Sequence, residues 1–256
     1  MWDHRSPGRA RVFGHRGAMG YAPENTFASF TLALEQGVDA IELDVHLTAD
    51  DAVVVIHDHR LERTTNGRGL VRAHTLAEIR ALDAGRRFDL RFAGERVPTL
   101  AEVLDWARDR CALDIEIKGG PAPYPGIEAR VVDLIHRHRM EDRTLVISFD
   151  HPTARRVKEL APEIATGVLY SGRSIDPTTL ARAAGADALM PNWANVLTED
   201  IERAHAAGLS VHPWATSEPD EIRSLLAMDV DSICSNHPDR VVAARAELGR
   251  GEGGSR

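Results

Sequence analysis

Short apolar runs alternate along the chain with longer segments in which apolar residues recur at helical spacing. The runs predict parallel strands at residues 11–14, 39–45, 112–117, 143–148, 164–169, 187–190, 209–213 and 230–234. The segments between them predict helices at residues 100–109, 126–138, 152–160, 177–184, 198–206, 218–226 and 238–247, and a first helix that begins at Asn25 or Thr26 and ends at Gly37. Eight strands alternating with helices favour an α/β fold of the closed (β/α)8 TIM-barrel type over an open doubly wound sheet.

One segment departs from this alternation. An additional apolar run at residues 52–56 follows the second strand after a short polar turn, which leaves no room for a crossover helix and indicates an antiparallel excursion. Residues 60–98 are polar and loop-rich. We therefore expect a small insertion at about 46–98, after the second strand, within a single domain at 1–248 that is followed by a disordered tail at 249–256.

Composition argues against several functional classes. The chain has 256 residues, a hydrophobic fraction of 43% and a formal net charge of −8, which indicate a substantial core and argue against a nucleic-acid-binding surface. No apolar run approaches the roughly 18 residues of a membrane span. The N-terminus lacks the apolar stretch of a signal peptide, so we expect a cytoplasmic location. Cys111 and Cys234 form no paired motif, and we expect both to be buried apolar residues.

Two of the predicted strands carry carboxylates where a parallel barrel should be apolar on both faces. Glu42 and Asp44 are two residues apart and therefore point the same way, and Asp114, Glu116 and Lys118 alternate with apolar residues in the same manner. Buried carboxylates that share one face repel each other unless a cation neutralises them. Oxygen ligands of this kind suit Mg²⁺ or Ca²⁺, whereas zinc prefers nitrogen and sulfur.

Ionisable residues also stand at the ends of two apolar runs. His15 and His57 follow the first strand and the run at 52–56, and barrel enzymes carry their active sites at the C-terminal ends of the strands. Two histidines beside a metal can divide the roles of general base and general acid. Arg16 and Lys118 would bind an anionic substrate, with arginine able to hold phosphate through two hydrogen bonds. Each short motif alone is explained by a loop, a turn or a helix cap, but their joint occurrence in one order indicates a catalytic site.

The residues resemble those of the glycerophosphodiester phosphodiesterase family from about residue 11 to 240. The specific part of the resemblance lies in the first fifty of these residues, in the motifs His15-Arg16-Gly17, Pro23-Glu24-Asn25-Thr26, Glu42-x-Asp44-Val45, Thr48-x-Asp50 and Val55-x-His57-Asp58. Later matches are Glu116-x-Lys118, Ser148-Phe149, Trp214 and Val230-Asp231.

The resemblance implies a metal-dependent phosphodiesterase. It implies one divalent cation, Ca²⁺ or Mg²⁺, held by Glu42, Asp44 and Glu116, with His15 and His57 as the acid/base pair. It also implies hydrolysis of a small-molecule glycerophosphodiester to sn-glycerol 3-phosphate and an alcohol, through attack of the glycerol 2-hydroxyl and a cyclic phosphate that water opens. No oligomeric state follows from the sequence.

The chain departs from the family pattern at two motifs. It has Trp214-Ala215-Thr216-Ser217 where the family often has Trp-x-x-Asn, and Ser235-Asn236-His237-Pro238 where the family usually has Thr-Asp-x-Pro. We expect both to lie on the mouth opposite the catalytic strands and to affect substrate shape, with Trp214 as an apolar wall. His46 and His212 are expected to be rim residues.

Three other functions remain open. A lysophospholipase D-like enzyme would need an apolar entry, for which Phe88, Leu90 and Phe92 in the insertion are the candidates. A non-catalytic phosphate-binding barrel is disfavoured because all the expected acid/base and metal residues are present. An amidohydrolase-type metalloenzyme is disfavoured because the first strand lacks a His-x-His pair.

Overall fold

The computed structural model describes residues 9–119 and 124–251. Its strands are β1 (Arg11–His15), β2 (Ala40–Leu47), β3 (Val53–Val55), β4 (Ala112–Ile117), β5 (Thr144–Ser148), β6 (Ala165–Tyr170), β7 (Ala188–Pro191), β8 (Ser210–Val211) and β9 (Ser232–Ser235). Its helices are α1 (Phe27–Glu35), α2 (Leu76–Arg80), α3 (Leu100–Ala107), α4 (Ile127–His138), α5 (His151–Leu160), α6 (Thr178–Ala184), α7 (Thr198–Ala206), α8 (Pro219–Ala227) and α9 (Pro238–Gly251).

The strands form a nearly closed barrel, which confirms the predicted fold. Parallel pairs run in the order β8-β7-β6-β5-β4-β2-β1-β9, and β3 lies outside this path, antiparallel to β2. Backbone hydrogen bonds cross the remaining gap, from Asp231 N to Val211 O at 3.0 Å and from Cys234 N to Pro213 O at 3.2 Å. The barrel mouth at the C-terminal ends of the strands is therefore a continuous rim.

The apolar residues of β2 and β4 pack outward against the helices. Ile41, Leu43 and Ile115 are fully buried in a cluster with α3 residues such as Leu100 and Leu104. Because side chains alternate along a strand, the intervening polar residues of β2 and β4 face the barrel interior. The alternation that stabilises the barrel thus also aims its carboxylates inward.

The excursion after β2 is antiparallel, as predicted. β2 pairs with β4 only as far as Val45, and β3 then returns along β2 with Val55 opposite Val45 and Val53 opposite Leu47. The insertion has a small apolar cluster of its own, which includes Leu61 and Ile79. Its helical part is the short α2, and the chain returns to the barrel where Val55 N donates to Pro98 O at 2.8 Å.

Some predicted boundaries were wrong. β8 has two residues instead of the predicted 209–213. Single hydrogen bonds to β7 continue from His212 N and Trp214 N, but Pro213 between them has no N–H to donate on the side of β9. α9 continues to Gly251 and so occupies the first part of the stretch 249–256 that was expected to be a tail, while residues 252–256 lie outside the described part. Cys111 and Cys234 are buried and free, as expected. Among the described helices, none has the length and apolarity needed to cross a membrane.

Candidate active site

Four carboxylates form a two-by-two array on the inner faces of β2 and β4. In the parallel register of these strands Glu42 lies beside Asp114, and Asp44 lies beside Glu116. All four residues are buried, with exposures of 4%, 1%, 0% and 7% respectively. The structure therefore brings together the carboxylates that the strand alternation singled out.

Two cations balance part of this charge. Lys118 Nζ lies 2.6 Å from Glu116 Oε1 and 3.3 Å from Asp44 Oδ1, and Arg16 Nε lies 3.2 Å from Asp44 Oδ2. Arg16 also donates its backbone N–H to Glu42 Oε2 at 2.9 Å. Asp44 is the centre of this cluster because both cations reach it.

The pKa values of these carboxyls diverge because their partners differ. Burial raises the pKa of Glu42 well above its ordinary value, and the neighbouring Asp44 charge adds to this. Burial also raises the pKa of Glu116, to about 7, although Lys118 opposes the shift. For Asp44 the charges of Lys118 and Arg16 outweigh burial, so its pKa lies below its usual range. Without further positive charge, Asp44 is the carboxyl of this set that most readily ionises.

The loop after β1 places Arg16 by an unusual backbone conformation. Arg16 and Asn25 have positive φ angles of 50° and 58°, and Gly17 has a φ of 84°. A Cβ at Gly17 would collide with the backbone and side chain of Ser29, and the Ser29 hydroxyl donates to Arg16 O at 2.9 Å. Glycine is therefore required at Gly17, which gives the triplet His-Arg-Gly a structural reason as well as a chemical one.

Asn25 has a role that the sequence pattern did not reveal. The motif that contains it is fully explained as a helix start, and the cap of α1 is in fact Thr26. Asn25 instead donates from Nδ2 to Asp44 Oδ2 at 2.8 Å and is itself buried. It therefore orients the central carboxylate of the cluster.

His15 ends β1 and faces the same cluster. Its Nδ1 lies 2.5 Å from Asn236 Oδ1, and its Nε2 lies 3.9 Å from Glu42 Oε2. Since the amide oxygen only accepts, Nδ1 carries the proton and Nε2 is left with a lone pair toward the cavity. Burial, and secondarily Arg16, lower the pKa of His15 to about 4, so the ring is neutral at pH 7.

The contact with Asn236 corrects one expectation. The segment Ser235-Asn236-His237-Pro238 was expected on the mouth opposite the catalytic strands, but β9 pairs directly with β1. The amide that replaces the usual carboxylate therefore contacts His15 itself. This departure from the family pattern concerns a candidate catalytic residue and not the far rim.

His57 reaches the site by a different route from His15. It follows the antiparallel β3, whose C-terminal end points back into the barrel, and Ile56 N donates to Asp44 O at 2.9 Å. This agrees with the expectation that the run at 52–56 is an antiparallel excursion that ends at His57. Its Nδ1 lies 2.6 Å from Asp58 Oδ1, and burial lowers its pKa while the Asp58 carboxylate opposes that shift.

A chain of ion pairs links the His57 side of the mouth to the Arg16 side. Arg63 donates to Asp58 at 2.7 and 2.9 Å and to Glu24 at 2.6 and 2.8 Å. Glu24 in turn accepts a hydrogen bond from Arg16 Nη1 at 3.0 Å. Arg63 belongs to the insertion and was missed by sequence reasoning, because no local pattern distinguishes it from the other arginines of the chain.

The two additional histidines are not rim residues. His46 has 1% exposure and lies under His57, with its Nε2 2.9 Å from His57 O. His212 has 2% exposure and lies deeper in the barrel between the hydroxyls of Ser210 and Ser232. Both belong to the interior.

The cavity at the mouth has a charged half and an apolar half. The charged half is lined by the two candidate catalytic histidines, both cations and three of the four carboxylates, namely His15, His57, Arg16, Lys118, Glu42, Asp114 and Glu116. The apolar half contains Ile147, Phe149, Leu169 and Trp214. Trp214 donates from Nε1 to the main chain of β7 at 2.9 Å and meets Phe149 edge-on, with 5.3 Å between ring centroids.

The chemistry of the charged half fits one divalent cation. Oxygen atoms of Glu42, Asp44 and Glu116 lie within 4.8 Å of one another, and these three form the only such group found among the described residues. Asp44 Oδ1 is buried without a hydrogen bond of good geometry. Three converging carboxylates, one with an oxygen that accepts no hydrogen bond and faces Lys118 Nζ at 3.3 Å, suit the oxygen coordination of Ca²⁺ or Mg²⁺.

Fold and site together define a (β/α)8-barrel protein of the enzyme type, with carboxylates, two cations and two histidines at the barrel mouth. The profile of the glycerophosphoryl diester phosphodiesterase family matches residues 15–240. The chain belongs to this family.

Relatives and solved structures agree with this assignment. A glycerophosphodiester phosphodiesterase of Caldanaerobacter subterraneus is 40% identical over 232 residues, which are 90% of this chain and 96% of the relative. The crystal structure of the glycerophosphodiester phosphodiesterase from Agrobacterium tumefaciens superposes with a TM-score of 0.81 at 34% identity, over 91% of this chain and 99% of the other. An Oleispira antarctica phosphodiesterase in complex with the product sn-glycerol-3-phosphate superposes with a TM-score of 0.85 at 30% identity, over 92% and 96% of the two chains.

Proposed function

We propose that this protein hydrolyses glycerophosphodiesters to sn-glycerol 3-phosphate and a free alcohol, with one Ca²⁺ or Mg²⁺ ion as cofactor. The observation that carries this proposal is that His15 and His57 line the same cavity as Glu42, Glu116 and Lys118. The product found in the Oleispira antarctica phosphodiesterase supports the same substrate class.

Glu42, Asp44 and Glu116 would hold the cation. When bound, a divalent cation acts as a Lewis acid on phosphoryl and hydroxyl oxygens. Arg16 and Lys118 lie beside the same carboxylates and would bind the remaining phosphoryl oxygens. Donors fixed in place before the reaction stabilise the negative charge that develops at phosphorus.

The two histidines would transfer the protons. The lone pair of His15 Nε2 accepts the proton of the glycerol 2-hydroxyl as that oxygen attacks phosphorus. His57 acts in its doubly protonated form: the Asp58 carboxylate holds its Nδ1–H, and its Nε2–H protonates the oxygen of the departing alcohol, which leaves the ring neutral. In the second step the roles reverse: His57 takes a proton from water, the water oxygen attacks phosphorus, and His15 returns its proton to the 2-oxygen as the cyclic phosphate opens.

The apolar half of the cavity would receive the carbon skeleton of the glycerol. Trp214 and Phe149 form an edge-on pair there, and Phe149 is 44% exposed. We propose Trp214 as the substrate-binding wall. The candidate acyl-chain entry does not open into this cavity, since Phe88 and Phe92 line a separate groove with Gly20 and Tyr21. No contact of that groove favours lysophospholipids as the main substrate.

The decisive experiment measures release of glycerol 3-phosphate from glycerophosphocholine and glycerophosphoethanolamine. We expect turnover that EDTA abolishes and that added Mg²⁺ or Ca²⁺ restores. His15→Ala and His57→Ala should each lower kcat by about 10²–10⁴-fold. The matched control is His136→Ala, because His136 lies on the surface in an ion pair with Glu163.

Three outcomes would contradict the proposal. Activity that survives EDTA would exclude a metal requirement. Full activity in either histidine variant would exclude an acid/base role for that histidine. Turnover of lysophospholipids alone would support the lysophospholipase D-like alternative. Binding of glycerol 3-phosphate without turnover of any diester would support a non-catalytic phosphate-binding barrel.

A further inference from the structure

His46 is a buried polar residue that the proposed chemistry does not use. Its Nε2 lies 2.9 Å from the backbone carbonyl oxygen of His57, and its Nδ1 lies 2.8 Å from the hydroxyl of Tyr124. Both rings are buried, with exposures of 1% for His46 and 8% for Tyr124, and they meet edge-on at 5.4 Å between centroids. Both ring nitrogens of His46 are thus engaged away from the cavity.

The partners determine where the protons lie. A carbonyl oxygen only accepts, so Nε2 of His46 carries a proton and donates it to His57 O. With its proton on Nε2, the ring offers the lone pair of Nδ1 to the Tyr124 hydroxyl, which lies 2.8 Å away and donates to it. The order of donation therefore runs from Tyr124 to His46 to the backbone of His57.

These two hydrogen bonds form a relay from Tyr124 through His46 that holds the backbone carbonyl oxygen of His57 and not its side chain. The ring of His57 is oriented by Asp58 through Nδ1. The carbonyl group of His57 belongs to the peptide bond between His57 and Asp58. The hydrogen bond from His46 holds this carbonyl group in one direction. Rotation of that peptide would move the ring and its carboxylate partner together, so the two contacts act on the same rigid unit.

The relay also joins two sides of the mouth. Tyr124 lies just before α4, on the connection that leaves β4 after Lys118. β4 carries Glu116 and Lys118, whereas His57 descends from the insertion side. His46, on β2, therefore connects the backbone of His57 through Tyr124 to the start of α4, where Ile127 N donates to Tyr124 O at 3.2 Å.

We infer that His46 and Tyr124 are positioning residues that hold His57 at its distance from the reacting phosphodiester. This inference rests on the proposed role of His57. Displacement of a catalytic group by about 1 Å lowers rates by roughly 10²-fold, because proton transfer depends steeply on geometry. Substrate binding does not require this proton transfer, so we expect a displaced His57 to lower kcat and to leave KM nearly unchanged.

The first test compares single variants by kcat and KM. His46→Phe removes the donor while keeping a ring, and should lower kcat by about 10- to 100-fold with KM changed less than about threefold. Tyr124→Phe should lower kcat by about three- to tenfold, the range of one neutral hydrogen bond. His46→Gln keeps an N–H donor and should fall between His46→Phe and the wild type. The matched control is Tyr21→Phe, whose hydroxyl bonds Asp239 at 3.1 Å, and its kcat should stay unchanged.

The second test is a double-mutant cycle with His57→Ala. If His46 acts through His57, His46→Phe should lower kcat no further once the imidazole of His57 is absent. Equal losses in the presence and absence of that imidazole would overturn the inference, because they would indicate a general packing role. A kcat of wild-type size in His46→Phe would also overturn it.

A third measurement separates this inference from the proposed function. Calorimetric titration with glycerol 3-phosphate reports on the binding site without turnover, and should give the same affinity for His46→Phe as for the wild type. A loss of affinity equal to the loss of kcat would overturn the positioning role, because the whole cavity would then have moved. If His57→Ala alone retains full activity, the proposed acid/base function fails instead.

Discussion

Substitution of Glu116 by glutamine should stabilise the metal-free protein while it weakens the metal site. Glu116 is 7% exposed, and burial raises its pKa from 4.5 to about 7 even though Lys118 lies 2.6 Å away. Since a tenfold change in an ionisation constant corresponds to about 1.4 kcal/mol, ionising this carboxyl costs about 3 kcal/mol more in the folded protein than in the unfolded chain. Glutamine has nearly the same shape and never ionises.

The direction of the pH dependence follows from this raised pKa. A carboxyl whose pKa is raised in the folded state binds more protons folded than unfolded between pH 4.5 and about 7. The metal-free wild type should therefore lose stability as pH rises through that interval. In EDTA, Glu116→Gln should exceed the wild type by up to about 3 kcal/mol at pH 8 and by almost nothing at pH 4.5.

Thermal unfolding in EDTA measures this difference. For a chain of this size, about 3 kcal/mol corresponds to a rise in Tm of roughly 6–12 °C. With saturating Mg²⁺ or Ca²⁺ the order should reverse, because the variant lacks one ligand and gains less from binding. Glu199→Gln, at an exposed position, is the control and should leave Tm unchanged under both conditions. The reasoning is refuted if Glu116→Gln lowers Tm in EDTA at pH 8, or raises it equally at both pH values.

Three further substitutions test other contacts of the site. Asn236→Ala removes the acceptor for His15 Nδ1 and should lower kcat about tenfold with little change in KM, which steady-state kinetics would reveal; an unchanged kcat would mean that Asn236 does not orient His15. Arg63→Met breaks the pairs with Asp58 and Glu24 and should lower kcat/KM by about tenfold while circular dichroism stays unchanged; wild-type kinetics would contradict the coupling. Lys118→Met should lower kcat/KM by about 10²–10³-fold and weaken inhibition by glycerol 3-phosphate, and undiminished product inhibition would exclude a role in phosphate binding.

The carboxylate cluster could be predicted from the sequence because its geometry depends on two simple periodicities. Alternation along β2 puts Glu42 and Asp44 on one face, and alternation along β4 does the same for Asp114 and Glu116. Parallel pairing of β2 with β4 then places these faces side by side. The eight-stranded barrel was predictable for the same reason, since alternation of strands and helices is visible along the whole chain.

Other parts of the site depend on contacts that no local pattern encodes. Arg63 reaches Glu24 across 39 positions of the chain, and Asn236 reaches His15 across 221. Asn25 was concealed because its motif already had an adequate local explanation as a helix start. His46 was in phase with the carboxylates, but only the path of the returning hairpin shows that His57 covers it.

The hairpin formed by β2 and β3 separates the placement of His57 from the structure of the insertion. The last residue pair of this hairpin is Val45 with Val55, just before the chain reaches His57. The position of His57 above the carboxylates is therefore set by pairing with the barrel strand β2. Beyond His57 the chain is tied back at Arg63 and at Pro98. The segment between those two anchors also packs on Val54 and Ile56 through Val71 and Ile79. Its other parts can therefore vary in length, provided that this packing is kept, while His57 stays in place above the carboxylates.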